Sequence, residues 1–319
     1  MSVPIWVWAA TIAGLLVILA FDLFVVGRDP HLVTMKEAGL WVAAMAGVAF
    51  AFGMGLGAIA GGQYASQFFA GWITEYSLSV DNLFVFVIIM TRFAVPPELQ
   101  HRVLLVGVLI ALALRGAFIA AGSAILTNFG WMFYFFGAFL VFTGIKLATG
   151  HGETAYKENA LVRIVRRFYP TTDEYHDTAL TVRSGTSRLV TPMLLVILAI
   201  GATDVLFALD SIPAIFGLTK VAYIVFTANM FALLGLRQLY FLLGGLLNRL
   251  VYLSYGLAFV LAFIGVKMIF EALHTSHIEK VGPVTVPTIS IPVSLGVIIG
   301  SLIVTAVLSL TIGEKAARR

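Results

Sequence analysis

Residues 190–216 read VTPMLLVILAIGATDVLFALDSIPAIF, and this stretch decides the fold. It stays apolar for longer than the roughly 20 residues a helix needs to cross a bilayer. Yet it carries Asp204 and Asp210. A charge at the centre of a membrane helix costs roughly 2.5–3.5 kcal/mol on insertion scales, so such residues face a bundle interior or an aqueous cavity and mark a pathway. Residues 67–91, QFFAGWITEYSLSVDNLFVFVIIMT, follow the same plan. Glu75 and Asp81 lie six apart, as do Asp204 and Asp210, and a polar oxygen donor follows each pair, Asn82 in one and Ser211 in the other.

Seven further apolar windows lie around these two, at 4–27, 37–59, 103–126, 129–149, 220–243, 249–271 and 292–312. The expected fold class is therefore an all-α polytopic membrane protein of about nine transmembrane helices. Composition agrees: 60% of the 319 residues are apolar and 11% charged, and mean hydropathy is +1.00. A soluble domain is nearer 45–50% apolar and about 25% charged. Strand-like alternation is missing, which argues against a membrane barrel. The absence of cysteine excludes disulfides, thiolate metal sites, Fe–S clusters and cysteine nucleophiles. No basic n-region precedes the first window, so no cleavable signal is expected. Nothing points to nucleic acid as a partner, and the oligomeric state is not legible.

Counting Lys and Arg fixes the expected orientation. One side of the membrane receives fourteen of them, and the other only Lys220 and Lys280. This puts the N-terminus outside, with the C-terminus and the polar segment 150–189 in the cytoplasm. That segment holds a helical-looking piece, 159–168, ended by Pro170.

Six acids fall within spans: Asp22, Glu75, Asp81, Asp204, Asp210 and Glu271. Asp22, Glu271, Lys146 and Lys267 are near enough to span ends to snorkel. Glu75, Asp81, Asp204, Asp210 and Arg115 are deeper, with Arg237 intermediate. After each acidic pair comes an arginine one helix later (Arg115, Arg237), then a Gly-x-Lys one helix after that (Gly144 to Lys146, Gly265 to Lys267). This is an internal repeat of three helices, 67–149 against 190–271. By the expected parity the two copies are inverted in the membrane, as in many secondary transporters. The expected organisation is a hairpin at 1–66, the first repeat, the 150–189 loop, the second repeat, and a terminal helix with a basic tail at 272–319.

Six residues turn an ideal helix by about 240°, so Glu75 and Asp81 do not share a face. Either each addresses a different neighbour or the helix is broken, and Pro213 favours a break in the second copy. The donors Glu75, Asp81, Asn82, Asp204, Asp210 and Ser211 are hard oxygens, suited to Mn²⁺, Ca²⁺ or Mg²⁺. Arg115 and Arg237 would balance their charge. Asn229 either extends the site or bonds a neighbouring helix. The glycines at 53, 55, 57, 61 and 62 read as a packing seam, and the histidines as loop residues. No nucleophile–base pair stands out, so an enzyme is not expected.

At these residues the sequence resembles the TerC family of integral membrane proteins, within the wider lysine-exporter-like superfamily. EYSLSVDNLFVF (Glu75 to Phe86) and DVLFALDSIPA (Asp204 to Ala214) are similar to the family's two acidic signatures, and Asp22 in FDLFVVGR matches a third motif. The resemblance implies export of a divalent metal, manganese above all, with the acidic positions as ligands and Asp22 as a possible further one. The metal would be cargo, not a permanent cofactor, with protons as counter-ion. It also implies a bacterial inner membrane, the family's tellurium-resistance label being a secondary phenotype. Two alternatives stand beside it: export of a cationic organic solute, and a role in assembling other membrane proteins, as tied to a plastid branch.

Overall fold

The computed structural model describes residues 3–21, 34–149, 160–184, 187–243, 252–276, 278, 280–281, 284–309 and 311. In order these form α1 (Ile5–Phe21), α2 (Met35–Ala60), α3 (Gly62–Arg92), α4 (Pro97–Asn128), α5 (Met132–Thr149), α6 (Ala160–Phe168), β1 (Thr181–Ser184), β2 (Ser187–Val190), α7 (Pro192–Phe216), α8 (Ala222–Leu234), α9 (Leu236–Leu243), α10 (Leu253–Thr275), β3 (Lys280–Val281), β4 (Val284–Thr285) and α11 (Ile291–Leu308). The strands are two short antiparallel hairpins in the connections. Among the described residues the other regular elements are all helices.

Six of the described helices are long and apolar enough to cross a membrane: α2, α4, α5, α7, α10 and α11. Two more are apolar but shorter, α1 at 17 residues and α8 at 13. The 31-residue α3 is long enough but more polar, because Gln63, Gln67, Thr74, Glu75, Ser77, Ser79, Asp81 and Asn82 interrupt it. It packs against α2, α7, α8 and α11, and Gln67, Thr74, Glu75, Ser79 and Asn82 are buried. The single window read at 220–243 is divided at Gly235 into α8 and α9, at the residue with the weakest helix preference short of proline. Conversely, α7 runs unbroken to Phe216 with Pro213 inside it. The break expected at that proline is not there.

Caps and turns fall where local chemistry puts them. Thr34 Oγ1 accepts the Glu37 backbone N–H at the start of α2, half of a capping box. Proline opens α4, α7 and α11, where its missing N–H is harmless. Gly61 turns the chain between α2 and α3 at φ 110°, a conformation that favours glycine. The expected glycine seam is real in part. A Cβ on Gly53 would strike Phe68 and Phe69, and one on Gly57 would touch Ala65, whereas Gly55 and Gly62 face open space.

The tightest packing is between α5 and α10. A Cβ on Gly137 would meet the Gly265 carbonyl at 2.8 Å, and one on Gly144 the Ala258 carbonyl at 2.7 Å. Rising numbers on α5 meet falling numbers on α10, so the two run antiparallel with backbones in contact. Helices α3 and α7 are antiparallel too. Thr219 Oγ1 donates to Gln67 Oε1 at 2.6 Å, and four residues along α3 Gly71 lies against Ile215. Helix α3 also packs along α8, and α4 along α7.

Candidate binding site

The register of α3 on α7 builds the site. From Gln67–Thr219 and Gly71–Ile215 it runs on to set Glu75 level with Ser211, and Asn82 level with Asp204. Along each helix, residues at i, i+4 and i+7 form one stripe. On α3 that stripe is Glu75, Ser79 and Asn82; on α7 it is Asp204, Ala208 and Ser211. All six are buried.

Between the stripes lies Arg115 of α4, itself fully buried. Its Nε and Nη2 donate to Asp204 Oδ2 and Oδ1 at 3.2 and 3.0 Å, the two-pronged geometry in which arginine binds a carboxylate best. Its Nη1 donates to Glu75 Oε1, to Asn229 Oδ1 at 2.8 Å and to Ser211 Oγ at 3.3 Å. One guanidinium thus fastens α3, α4, α7 and α8 together. Asp204 is the midpoint of the 25-residue α7, so the network is far from both ends of the helix.

Two carboxylates face one guanidinium, and the polar demand is not fully met. Glu75 Oε2, Ser79 Oγ and Asn229 Nδ2 are buried with no hydrogen-bond partner among the described residues. Buried polar groups are normally paired, and each exception calls for an explanation. Glu75 and Asn229 each bond Arg115 through their other polar atom, and Ser79 is one turn from Glu75.

The structure brings together Glu75, Asp204, Ser211, Asn229 and Arg115. Asn82 shares their stripe but lies about two turns from Glu75 and makes no bond to Arg115 in the network above. Asp210 is half-buried on α7. Six residues beyond Asp204, it is turned about 120° from the Arg115 stripe. The side chains of Asp81 on α3 and Arg237 on α9 lie outside the described residues, as does Asp22 altogether. Among the described residues, no three of His, Asp and Glu converge as a metal-ligand group. Two of the histidines expected in loops, His101 and His274, lie inside helix ends. Ser79 was missed by the spacing-of-six reading, although its i+4 relation to Glu75 was there to find.

A cavity of about 840 Å³ opens beyond the N-terminus of α3, walled by Gln67, Thr219, Lys220, Lys267, Glu271 and Ser290. The Gln67–Thr219 bond on its wall is about 12 Å from Glu75 along α3, at 1.5 Å per residue. Lys220 Nζ and Glu271 Oε1 pair at 2.6 Å at its rim, both half exposed. The pair is screened by solvent and adds little to stability.

Spans of this length around a buried ionic network define a polytopic integral membrane protein. The model of the integral membrane protein TerC family matches residues 60–317, and the chain belongs to that family. It is similar to the uncharacterized membrane protein Rv2723 of Mycobacterium tuberculosis (strain ATCC 25618 / H37Rv), with 43% identity over 95% of this chain and 78% of that protein. It also resembles the uncharacterized membrane protein STKORF319 of Myxococcus xanthus, with 46% identity over 82% of each. Alx of Escherichia coli (strain K12), named as a candidate membrane-bound redox modulator, is 38% identical over 95% of this chain and 93% of its own. No solved structure matches the chain.

Proposed function

We propose that this protein is a secondary transporter that exports a divalent metal ion, manganese first, across a bacterial inner membrane in exchange for protons. The carrying observation is the convergence of Glu75 and Asp204, from counterpart helices of the two repeats, on the buried Arg115. The oxygen chemistry of Glu75, Asp81, Asn82, Asp204, Asp210 and Ser211 suits a hard dication, and manganese comes from the family resemblance. Bacterial relatives support the inner-membrane placement.

The inverted repeat is part of the proposal, as is a count of nine spans in which α3 and α1 cross and α8 with α9 forms one span. The packing supports the repeat. Swapping α3 with α7, α4 with α8 and α5 with α10 turns the α3–α8 contact into the α7–α4 contact. The same swap, at the offset of 121 that relates Gly144 to Gly265, turns the Gly137–Gly265 contact into the Ala258–Gly144 contact. Counterpart helices run antiparallel, as inverted copies require.

In this reading Arg115 is a tethered cation that occupies the carboxylates when cargo is absent. An entering metal ion takes its place on Glu75 and Asp204, and Glu75 Oε2 supplies an acceptor the guanidinium leaves unused. Protons arriving from the other side compete for the same oxygens and release the metal. The carboxylates thus hold cargo, protons or Arg115, but not two at once, which is the condition for exchange.

Everted vesicles carrying the protein should accumulate Mn²⁺, and Glu75→Gln, Asp81→Asn or Asp210→Asn should each lower the rate at least about ten-fold, a loss of roughly 1.4 kcal/mol. Unchanged transport in those variants would end the reading. Uptake blocked by lysine and indifferent to metals would favour an organic cation instead. A phenotype that follows deletion of 150–189 and ignores the carboxylates would favour an assembly role. The name given to Alx adds redox modulation as an outcome. With no cysteine, such an effect would not run through thiols of this chain, and cation transport is one route by which it could arise.

A further inference from the structure

Helix α6, ALVRIVRRF, is built unlike the spans. At about 100° per residue it divides into three sectors. Val162 and Val165 form the first and turn inward toward α7, Val162 being fully buried. Leu161, Ile164 and Phe168 form the second and are 40%, 52% and 71% exposed, with Tyr169 beyond them at 60%. Arg163, Arg166 and Arg167 form the third, and the helix has no acid. The guanidinium of Arg166 stands 5.8 Å from the centre of the Phe93 ring, on the side nearest the buried sector. Arg163 and Arg167, at i and i+4, border the exposed apolar stripe.

The position of α6 is fixed by the ends of the spans. Phe93 is the residue that ends α3. Tyr175, beyond Pro170 in the same segment, donates from its hydroxyl to the Phe93 carbonyl at 2.9 Å. Thr191, which opens α7, is bonded to Leu180 and Ala179. The segment therefore sits where α3 stops and α7 starts, which with α3 and α7 crossing the bilayer is the height of the lipid headgroups. Of the acids in 150–189, Glu153 and Glu158 precede α6 and Asp173, Glu174 and Asp177 follow Pro170, so none lies within the helix. A strongly two-sided, arginine-bearing helix of low net hydrophobicity is what lies in the plane of a membrane surface.

We propose that α6 is an in-plane anchor. Leu161, Ile164 and Phe168 enter the acyl-chain boundary, and Arg163 and Arg167 hold anionic lipid headgroups. Arg166 is pinned over Phe93 and couples the anchor to the end of α3, so the lipid at this surface bears directly on the helix that carries Glu75. The inference needs only that α3 and α7 cross the membrane; it does not depend on what the protein transports.

The chain has no cysteine, so single cysteines can carry spin labels without further engineering. Full-length Ile164→Cys, Phe168→Cys and Arg167→Cys proteins, labelled in phosphatidylcholine nanodiscs with and without phosphatidylglycerol, are compared for access to oxygen and to an aqueous nickel relaxant. With phosphatidylglycerol, labels at 164 and 168 should favour oxygen and the label at 167 should sit at headgroup depth. In a phosphatidylglycerol titration read at the 164 label, Arg163→Gln and Arg167→Gln should each weaken the apparent affinity about five-fold, and together on the order of 25-fold. Nickel access at 164 and 168 in every bilayer would overturn the proposal. Dipolar broadening between labels on two molecules would place a second copy there and overturn it equally. Depth in the arginine-intact proteins is read independently of whether the glutamine variants fold.

Discussion

At the residue scale, Arg115 bears the most strain on any account of this protein. A buried ion pair gains little over an apolar packing of the same shape, but breaking one by removing a single partner typically costs about 3–5 kcal/mol. Arg115→Met should therefore destabilise the purified protein by that order, read as a lowered unfolding midpoint. Adding Glu75→Gln and Asp204→Asn should recover much of the loss, because no buried charge is then left uncompensated. Thermal unfolding of the single and triple variants in one detergent checks both. Tyr175 allows a second test at this scale. Burial pushes its phenol up to about 12, above the ordinary value near 10, so the folded form holds its proton more tightly than the unfolded one. Its contribution is complete below pH ~10 and is lost as pH rises from there toward ~12. The wild type should lose stability across that window relative to Tyr175→Phe, which lacks the titrating group. At neutral pH the phenylalanine variant should be about 1 kcal/mol less stable through loss of the bond to Phe93.

At the element scale, the close approach of α5 to α10 depends on glycines set against the partner's backbone. A Cβ on Gly265 would sit 2.7 Å from the Gly137 carbonyl, a backbone atom with nowhere to go. Gly265→Ala should thus destabilise by about 1–3 kcal/mol through forced separation of the helices. Gly55→Ala, which meets nothing within 4 Å, should be neutral or stabilising by up to ~1 kcal/mol through helix propensity alone. Melting the two variants side by side separates packing from propensity. The same scale explains the displaced helix break. Proline removes one donor and crowds the preceding turn, yet α7 is buried along most of its length, and its neighbours hold it helical through Pro213. Glycine has the weakest helix preference short of proline, and at Gly235 the chain divides.

At the scale of the whole molecule, a transporter that binds its cargo only when folded must be stabilised by that cargo. Manganese at a hundred times its dissociation constant should add about 2.7 kcal/mol, read as an upward shift of the melting temperature. The shift should vanish in Glu75→Gln and be absent with a monovalent ion at equal ionic strength. Much of this was legible in advance, for particular reasons. The windows at 37–59, 103–126, 129–149 and 292–312 became helices because nothing but apolar length is needed to specify a span. The spacing of the acids puts Glu75 and Asp204 at like places in two stretches of sequence, but that both bond one arginine is visible only in the structure. Asn229 was legible only as two alternatives and Ser79 not at all, because each depends on which neighbour happens to face it.

By itself the sequence determined that the chain crosses the membrane several times as helices, and that an acidic pair, an arginine and a Gly-x-Lys occur twice in the same order. Both follow from local chemistry: apolar runs must be helical where no water can satisfy the backbone, and spacing along a chain is visible without a fold. Only the tertiary structure decided that α3 and α7 meet antiparallel, that one arginine binds acids from both, and which carboxylate oxygen it leaves unmatched. Those depend on the register between helices more than a hundred residues apart, fixed by contacts such as Gln67 with Thr219 and Gly137 with Gly265. A periodicity of 3.6 tells which residues share a stripe; it cannot tell which stripe of another helix will lie against it.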